Sequence, residues 1–517
     1  MTQKRAWGPT APAGKWDVIV IGAGIGGLTT ANVLAQLGKR VLVLEQHTIP
    51  GGFTQSFRRG KWAWDVGLHV VGEMGPAGML GRTLAALSGD RLRWTSIEGA
   101  YDEVELPTGQ RVAIPGRLSQ LRESYRSAFP REHAGIDKYM RCLREGASGM
   151  RDFFVARSLT PWTHRAAVGP NRALALSRTA EVLDSVTDDP MLRAVMGVHW
   201  GFYGTPPSRS AFGVHALLAR HYRHGAYYPV GGAMSIPRAL SSSLADHGGW
   251  VQTRCDVAQI TVKYGHATGV RLRSGEELRA NAIVSGAGAL NTLRMLPAEE
   301  QREEWVEPVA ALPSSCSNVC LHVGFEGDIR EAGASMTNAW LMTGTPEEVW
   351  STEGTPLACY VSFPSLKDGE EHHGAHTAEV VVLTGWEPFE RFNGLRWRQR
   401  GEEYEAVKKR ITETLRGLML KRFPKLASMI VYEELSTPVS AAHFVRADRG
   451  AAYGLEASRG RFENRWLRPR TPVKGLHLAG CDVSMVGIGG ALVGGLAAAV
   501  SIEPEPSATW LRRAVRR

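Results

Sequence analysis

A chain of 517 residues, 43% hydrophobic and 22% charged, is too long for one core and is expected to fold as at least two domains. Its net charge of +10 gathers partly in Arg512, Arg513, Arg516 and Arg517, read as a solvated basic tail over 503–517, and no nucleic-acid motif or basic–aromatic interleaving accompanies it, so no nucleic-acid partner is expected. Six cysteines in so long a chain are no disulfide framework and fit a reduced, cytoplasmic compartment, with Cys316 and Cys320 read as strand residues and not as zinc ligands.

The basic start (Lys4, Arg5) and the apolar run from Val18 imitate a signal peptide, but glycines and paired threonines break the run and no clean cleavage site follows. Asp17-Val-Ile-Val-Ile21 is rich in β-branched residues, the pattern of a buried parallel strand. Gly22-Ala23-Gly24-Ile-Gly26-Gly27 follows, and then an apolar stripe of Leu28, Ala31, Leu34, Ala35 and Leu37 predicts a helix ended by Gly38. Arg40 to Leu44 is a second buried strand with Glu45 at its carboxyl end. Gly22 permits the tight turn, Gly24 lets backbone approach a diphosphate, and Gly27 lets helix and strand pack closely. Glu45, 23 residues after Gly22, suits ribose hydroxyls. Strand, helix, second strand and acid in register make this a dinucleotide fingerprint. Gly51 and Gly52, with Gln46, Phe53 and Thr54 around them, suggest backbone lying directly against a large cofactor.

Residues 73 to 225 read as mostly helical. From 225 to 290 an α/β pattern returns, with a helix over Ser235 to Ala245, a strand over Val251 to Ile260 and another at Ala282-Ile-Val-Ser285, ending in Gly286-Ala-Gly288. Neither that glycine pair nor Gly487-Ile488-Gly489 completes a second fingerprint, so no separate NADPH domain is expected. Strands at Val319 to Phe325 and Ala378 to Thr384 and a polar helix from Glu402 to Leu420 follow. His372, His373 and His376 lack ligand spacing and read as a solvated loop, so no metal is expected. Val483 to Ile502 is uncharged over 20 residues and contains Gly490-x-x-x-Gly494, but it is too rich in glycine and alanine for a lone membrane span.

In order, these motifs resemble the retinol saturase, carotenoid isomerase and bacterial phytoene desaturase group of the flavin amine oxidase superfamily. The motifs most similar to retinol saturase are Trp64 to Gly72, Trp200 to Pro207 with His224 to Gly232, Arg449 to Gly454 with Arg461-Phe462, and Gly480-Cys-Asp482. The resemblance implies an α/β fold: a Rossmann-like FAD-binding domain with an inserted mixed α+β domain facing substrate and membrane. The FAD domain is expected in three pieces (15–75, 225–300 and 430–502) and the substrate-binding and helical lid domain in two (76–224 and 301–429). Carried over by the resemblance, Asp482 bonds the ribityl chain, Gly480 and Gly487 to Gly489 lie near the flavin, Val257 meets the adenine and Gly286 belongs to the cofactor-binding set.

The implied activity is FAD-dependent redox chemistry at a carbon–carbon double bond of a hydrophobic polyene, with saturation leading and desaturation or cis–trans isomerisation as alternatives. An external NAD(P)H or other electron donor goes with it. A non-catalytic prenyl-lipid carrier of the GDP-dissociation inhibitor type is the rival from another class. Saturation calls for an acid, and His69 is the first candidate, with Tyr453 second. A polyene substrate implies peripheral contact with a bilayer, for which Phe153, Phe154, Leu159 and Trp162 among Arg151, Arg157 and Arg165 are a candidate patch.

Overall fold

The computed structural model describes residues 6–159 and 170–516, with the side chains of 155–159 left aside. Two sheets organise it. The first has six parallel strands in the order Trp7–Gly8, Trp250–Gln252, Val41–Leu44, Val18–Ile21, Ala282–Ser285 and Leu476–Leu478. Its central strands are buried on both faces, as their unbroken β-branched runs require. Alternate residues go to opposite layers. Val18, Val20, Val41 and Val43 pack under helices Ile25–Gln36, Ser235–Asp246 and Gly487–Ile502. Ile19, Ile21, Leu42 and Leu44 pack on a three-stranded meander that starts at Val257–Lys263.

The second sheet has seven strands in the order Ile430–Ser436, Ser317–Glu326, Ala375–Thr384, Ala358–Ser362, Asn338–Met342, Ala100–Glu105 and Arg111–Pro115. All neighbours are antiparallel except Asn338–Met342 on Ala100–Glu105. One face packs on helix Glu402–Arg422 through Ile411, Leu415 and Met419. The other sends Trp340, Met342 and Tyr360 toward a helical layer containing His133–Leu159, Pro190–Gly197 and Phe212–His221. A hairpin, Ser56–Arg59 with Trp62–Asp65, ties the sheets together: Trp62 and Trp64 donate their indole N–H groups to the carbonyls of Phe325 (3.0 Å) and Val323 (3.1 Å).

Several details differ from the sequence reading. Ile430–Ser436, grouped with the FAD-binding pieces, is the edge strand of the second sheet. The expected strand over Val251 to Ile260 is two strands, because the chain turns at Arg254 with φ of +58°. The stretch 503–517 contains a helix, Pro504–Arg516, whose Trp510 and Leu511 pack on the first domain while its arginines face outward; an amphipathic face makes this a docked helix and not a tail. His376 is buried on its strand beside Ser365, so only His372 and His373 belong to the polar loop. The six cysteines are free thiols. Among the described residues no helix is long and apolar enough to cross a membrane.

Candidate functional site

The first helix begins directly at the end of its strand. Gly22 takes φ of +92°, and a Cβ on Gly27 would lie 2.1 Å from the Gly22 carbonyl oxygen, so the turn and the close packing both demand glycine. Gly24 is the N-cap; no side chain caps the helix and no acid stands in its first turn. Its free N–H groups therefore need a partner, and a Cβ on Gly24 would find no atom within 4 Å. Gly51, at φ of +127°, bridges to Gly24, donating its N–H to Ala23 O at 2.9 Å, and Gly52 follows at +57°. Glu45 is buried, with Oε2 accepting from the Ala23 N–H (2.9 Å) and Oε1 from the His47 N–H (2.8 Å). Burial pushes its carboxyl upward, opposed by those donors.

The distant glycine cluster meets this turn in space. A Cβ on Gly26 would lie 2.5 Å from Gly480 Cα, and on Gly494 1.9 Å from the Gly480 oxygen. Gly286 lies against Gly22 and Gly27. The glycines that imitate a membrane packing motif thus serve packing inside the domain: Gly490 on Met485 and Gly494 on Gly480, while the next residue, Gly495, meets Gly26 and Thr29 of helix Ile25–Gln36. The second helix starts with Gly487 at +74°, uncapped by any side chain and with open space beside it. Ile488 is half-buried, and a Cβ on Gly489 would lie 2.8 Å from Leu80. An extended FAD fits these features: uncapped N–H groups over an open glycine, a buried acid at one end and a second open helix N-terminus at the other.

The remaining cofactor candidates have other partners as well. Gln46 donates its amide to Phe444 O (2.6 Å), and Thr54 its hydroxyl to Gly51 O (2.8 Å). Val257 opens the meander, which hangs on Glu45 through the Cys255 N–H to Glu45 O bond (2.8 Å). Asp482 is buried, and its oxygens accept the N–H groups of Ala289 (2.7 Å) and Leu455 (2.9 Å), stitching three segments together. Arg461, fully buried beneath the same loop, donates to the carbonyls of Leu455, Cys481 and Ser484.

Beyond Phe53 lies a cavity of about 320 Å³, at the low end of the usual range for small-molecule sites. Trp200, Phe202, Trp340 and Tyr360 wall it, and both acid candidates, His69 and Tyr453, line it. Tyr453 donates its hydroxyl to Gly201 O at 3.1 Å, and burial pushes that hydroxyl well up, so its proton is committed. His69 differs. Its Nδ1 lies 2.9 Å from Glu379 Oε2, at an angle oblique for a hydrogen bond, and among the described residues its Nε2 has no protein partner.

Behind His69 lies a buried charged cluster that the sequence reading missed. Lys367 donates to His69 O (2.8 Å), Asn338 Oδ1 (2.7 Å) and Ser362 Oγ (2.7 Å). Asp65 accepts from Tyr228, Ser56 and the Ala233 N–H, and Asp102 from Asn338 and Trp340. Burial raises Asp65 and Asp102 to about 6 and lowers Lys367 to about 8, less than it would without the carboxylates around it. One signal was available: Glu379 interrupts the apolar run of its strand between Ala378 and Val380.

Of the candidate membrane patch, the phenylalanines face inward. Phe153 is buried, and Phe153 and Phe154 pack edge-on against Phe462, because the helix turns that face to the core. Trp162 and Arg165, and the side chains of Arg157 and Leu159, lie outside the described residues.

Comparison with known proteins agrees with the fold. The sequence profile of the flavin containing amine oxidoreductase family matches residues 25–502. All-trans-retinol 13,14-reductase of Danio rerio is 31% identical, covering 93% of this chain and 84% of its own. A chloroplastic prolycopene isomerase of Arabidopsis thaliana is 29% identical over 85% of this chain and 74% of its own. Among solved structures, putrescine oxidase superposes with a TM-score of 0.65 at 19% identity, covering 96% of this chain and all of that one.

Proposed function

The chain belongs to the flavin containing amine oxidoreductase family and is an FAD-dependent oxidoreductase, and from that premise we propose that it saturates a carbon–carbon double bond of a hydrophobic polyene, a retinoid first of all. The relatives named for reducing all-trans-retinol support the reaction class. The observation that carries the reading is the aromatic-walled cavity, which offers a long apolar molecule a histidine nitrogen that has no protein partner among the described residues.

In this reading Gly22, Ala23, Gly24, Gly26 and Gly27 hold the diphosphate, Glu45 the adenosine ribose, and Gly51 to Phe53 the flavin side. Asp482 keeps the ribityl segment in place through the backbone it ties. The N-terminus at Gly487 favours negative charge on the reduced ring. Bound and reduced, FAD supplies a hydride. The chain's own part is to orient the polyene against Trp200, Phe202, Trp340 and Tyr360, to exclude water, and to give a proton from His69 Nε2 to the second carbon. Tyr453 holds the Gly201 wall. Electrons come from an external donor, NAD(P)H or another, since only one dinucleotide fingerprint is present. The protein works in the cytoplasm, docking peripherally on the bilayer that holds its substrate.

The test is anaerobic photoreduction followed by a panel of retinoids and carotenoids, with product masses recorded. A product heavier by two hydrogens is expected. Unchanged mass with shifted retention would instead make the enzyme an isomerase, and failure across the panel would defeat the reading.

A further inference from the structure

His69 sits on a loop between strands Trp62–Asp65 and Val71–Gly72, where no ladder fixes it. What fixes it comes from the other sheet. Lys367 spends all three ammonium hydrogens, one of them on the His69 carbonyl. Glu379 is fully buried; Oε1 accepts the Asp65 N–H at 3.0 Å and Oε2 faces His69 Nδ1. A carboxylate buried in an apolar strand is costly unless paired, and His69 is the titratable partner it touches.

We propose that Glu379 is the positioning residue of His69: it turns Nδ1 to its carboxylate and so leaves Nε2 for the cavity, while Lys367 fixes the main chain of the same residue. This rests on His69 being the proton donor of the saturation. Asp65 from the hairpin, and Asp102 and Glu379 from the second sheet, share the buried cluster with the single ammonium of Lys367. The oblique approach of Nδ1 is of the kind that tightens when substrate binds. In the step the π bond opens, the hydride of the reduced flavin forms one C–H bond with both electrons, and the Nε2 proton forms the other. The imidazole is left neutral, the flavin is oxidised, and one solvent proton resets the pair.

The experiment compares wild type, Glu379→Gln, His69→Gln and the double variant as holoenzymes. It reads anaerobic reoxidation by all-trans-retinol and, separately, retinol affinity by quenching of the cavity tryptophans. General-acid loss is typically about 100- to 10,000-fold. Each single variant is expected to lose about 100-fold or more in that range, the double no more than His69→Gln alone, with affinity changed only a few-fold. Multiplying losses, or a Glu379→Gln enzyme as fast as wild type, would overturn the proposal. Should Glu379→Gln fail to fold, ¹⁵N spectra of histidine-labelled wild type decide, with His69→Gln giving the assignment. A proton on His69 Nδ1 at every pH supports the pair, and a neutral ring with bare Nδ1 overturns it. If no polyene reoxidises wild type, the saturase reading falls while the nitrogen spectra still judge Glu379.

Discussion

The two halves of the site are built from different materials. The cofactor cradle is made of backbone: N–H groups at two helix starts, and glycines whose missing side chains let Gly22, Gly26, Gly286, Gly480 and Gly494 meet. The cavity beside it is made of side chains, with Asp65, Asp102, Lys367 and Glu379 brought together from positions hundreds of residues apart. A backbone site is intolerant of added volume, whereas a charged side-chain site should respond to pH.

The largest effect expected is on the backbone side. Gly494→Val places carbon where the Gly480 oxygen stands, and no flavin-loaded protein should be recovered. A yellow, soluble variant would mean that helix Gly487–Ile502 does not pack on the Gly480 backbone in this way. Acid should act on the other side. Burial lowers His199, His221, His322 and His477 to about 4 and His215 to about 3. The unfolded chain therefore takes up those protons first, and stability present above pH 6.5 is lost as pH falls toward 4, by about 1.4 kcal/mol per group per unit. Asp65 and Asp102, raised to about 6, gain stability over part of the same window, but they are two against five. Denaturant melts at pH 7 and 5 should show a marked loss, with hydrogen exchange opening first around the second sheet and helical layer, which hold four of the five histidines. Equal midpoints would contradict the burial of those rings.

Next comes Phe153→Ala, which should cost about 3–5 kcal/mol of stability because the ring is core; the same liposome binding as wild type is expected. Glu45→Gln should weaken FAD by the worth of a charged hydrogen bond, about 1.5–3 kcal/mol, read by titrating apoprotein. Tyr453→Phe should be mildest, about 1 kcal/mol of stability for the Gly201 bond, with reoxidation within a few-fold of wild type. A loss as deep as that of His69→Gln would return Tyr453 to the role of acid.

This division also explains what was legible in the chain. Val18 to Glu45 carries its geometry locally, in strand pattern, glycine spacing and an acid at fixed distance, and the motif resemblance to the retinol saturase group agrees with the family matched. The resemblance gives Asp482 to the ribityl chain, whereas the tie that its oxygens make to the Ala289 and Leu455 N–H groups is written in no local pattern. Glu379 and Lys367 carried no motif: their meaning lies in an antiparallel register and in a loop from the other domain. Phe153 and Phe154 misled for the same reason, since apolar residues between arginines read alike whether a core or a bilayer receives them.

The most direct test follows the flavin itself. Photoreduced enzyme mixed anaerobically with all-trans-retinol should regain the oxidised flavin spectrum while one product, heavier by two hydrogens, forms per flavin. Flavin that stays reduced, or that reoxidises with retinol unchanged in mass, would contradict the account.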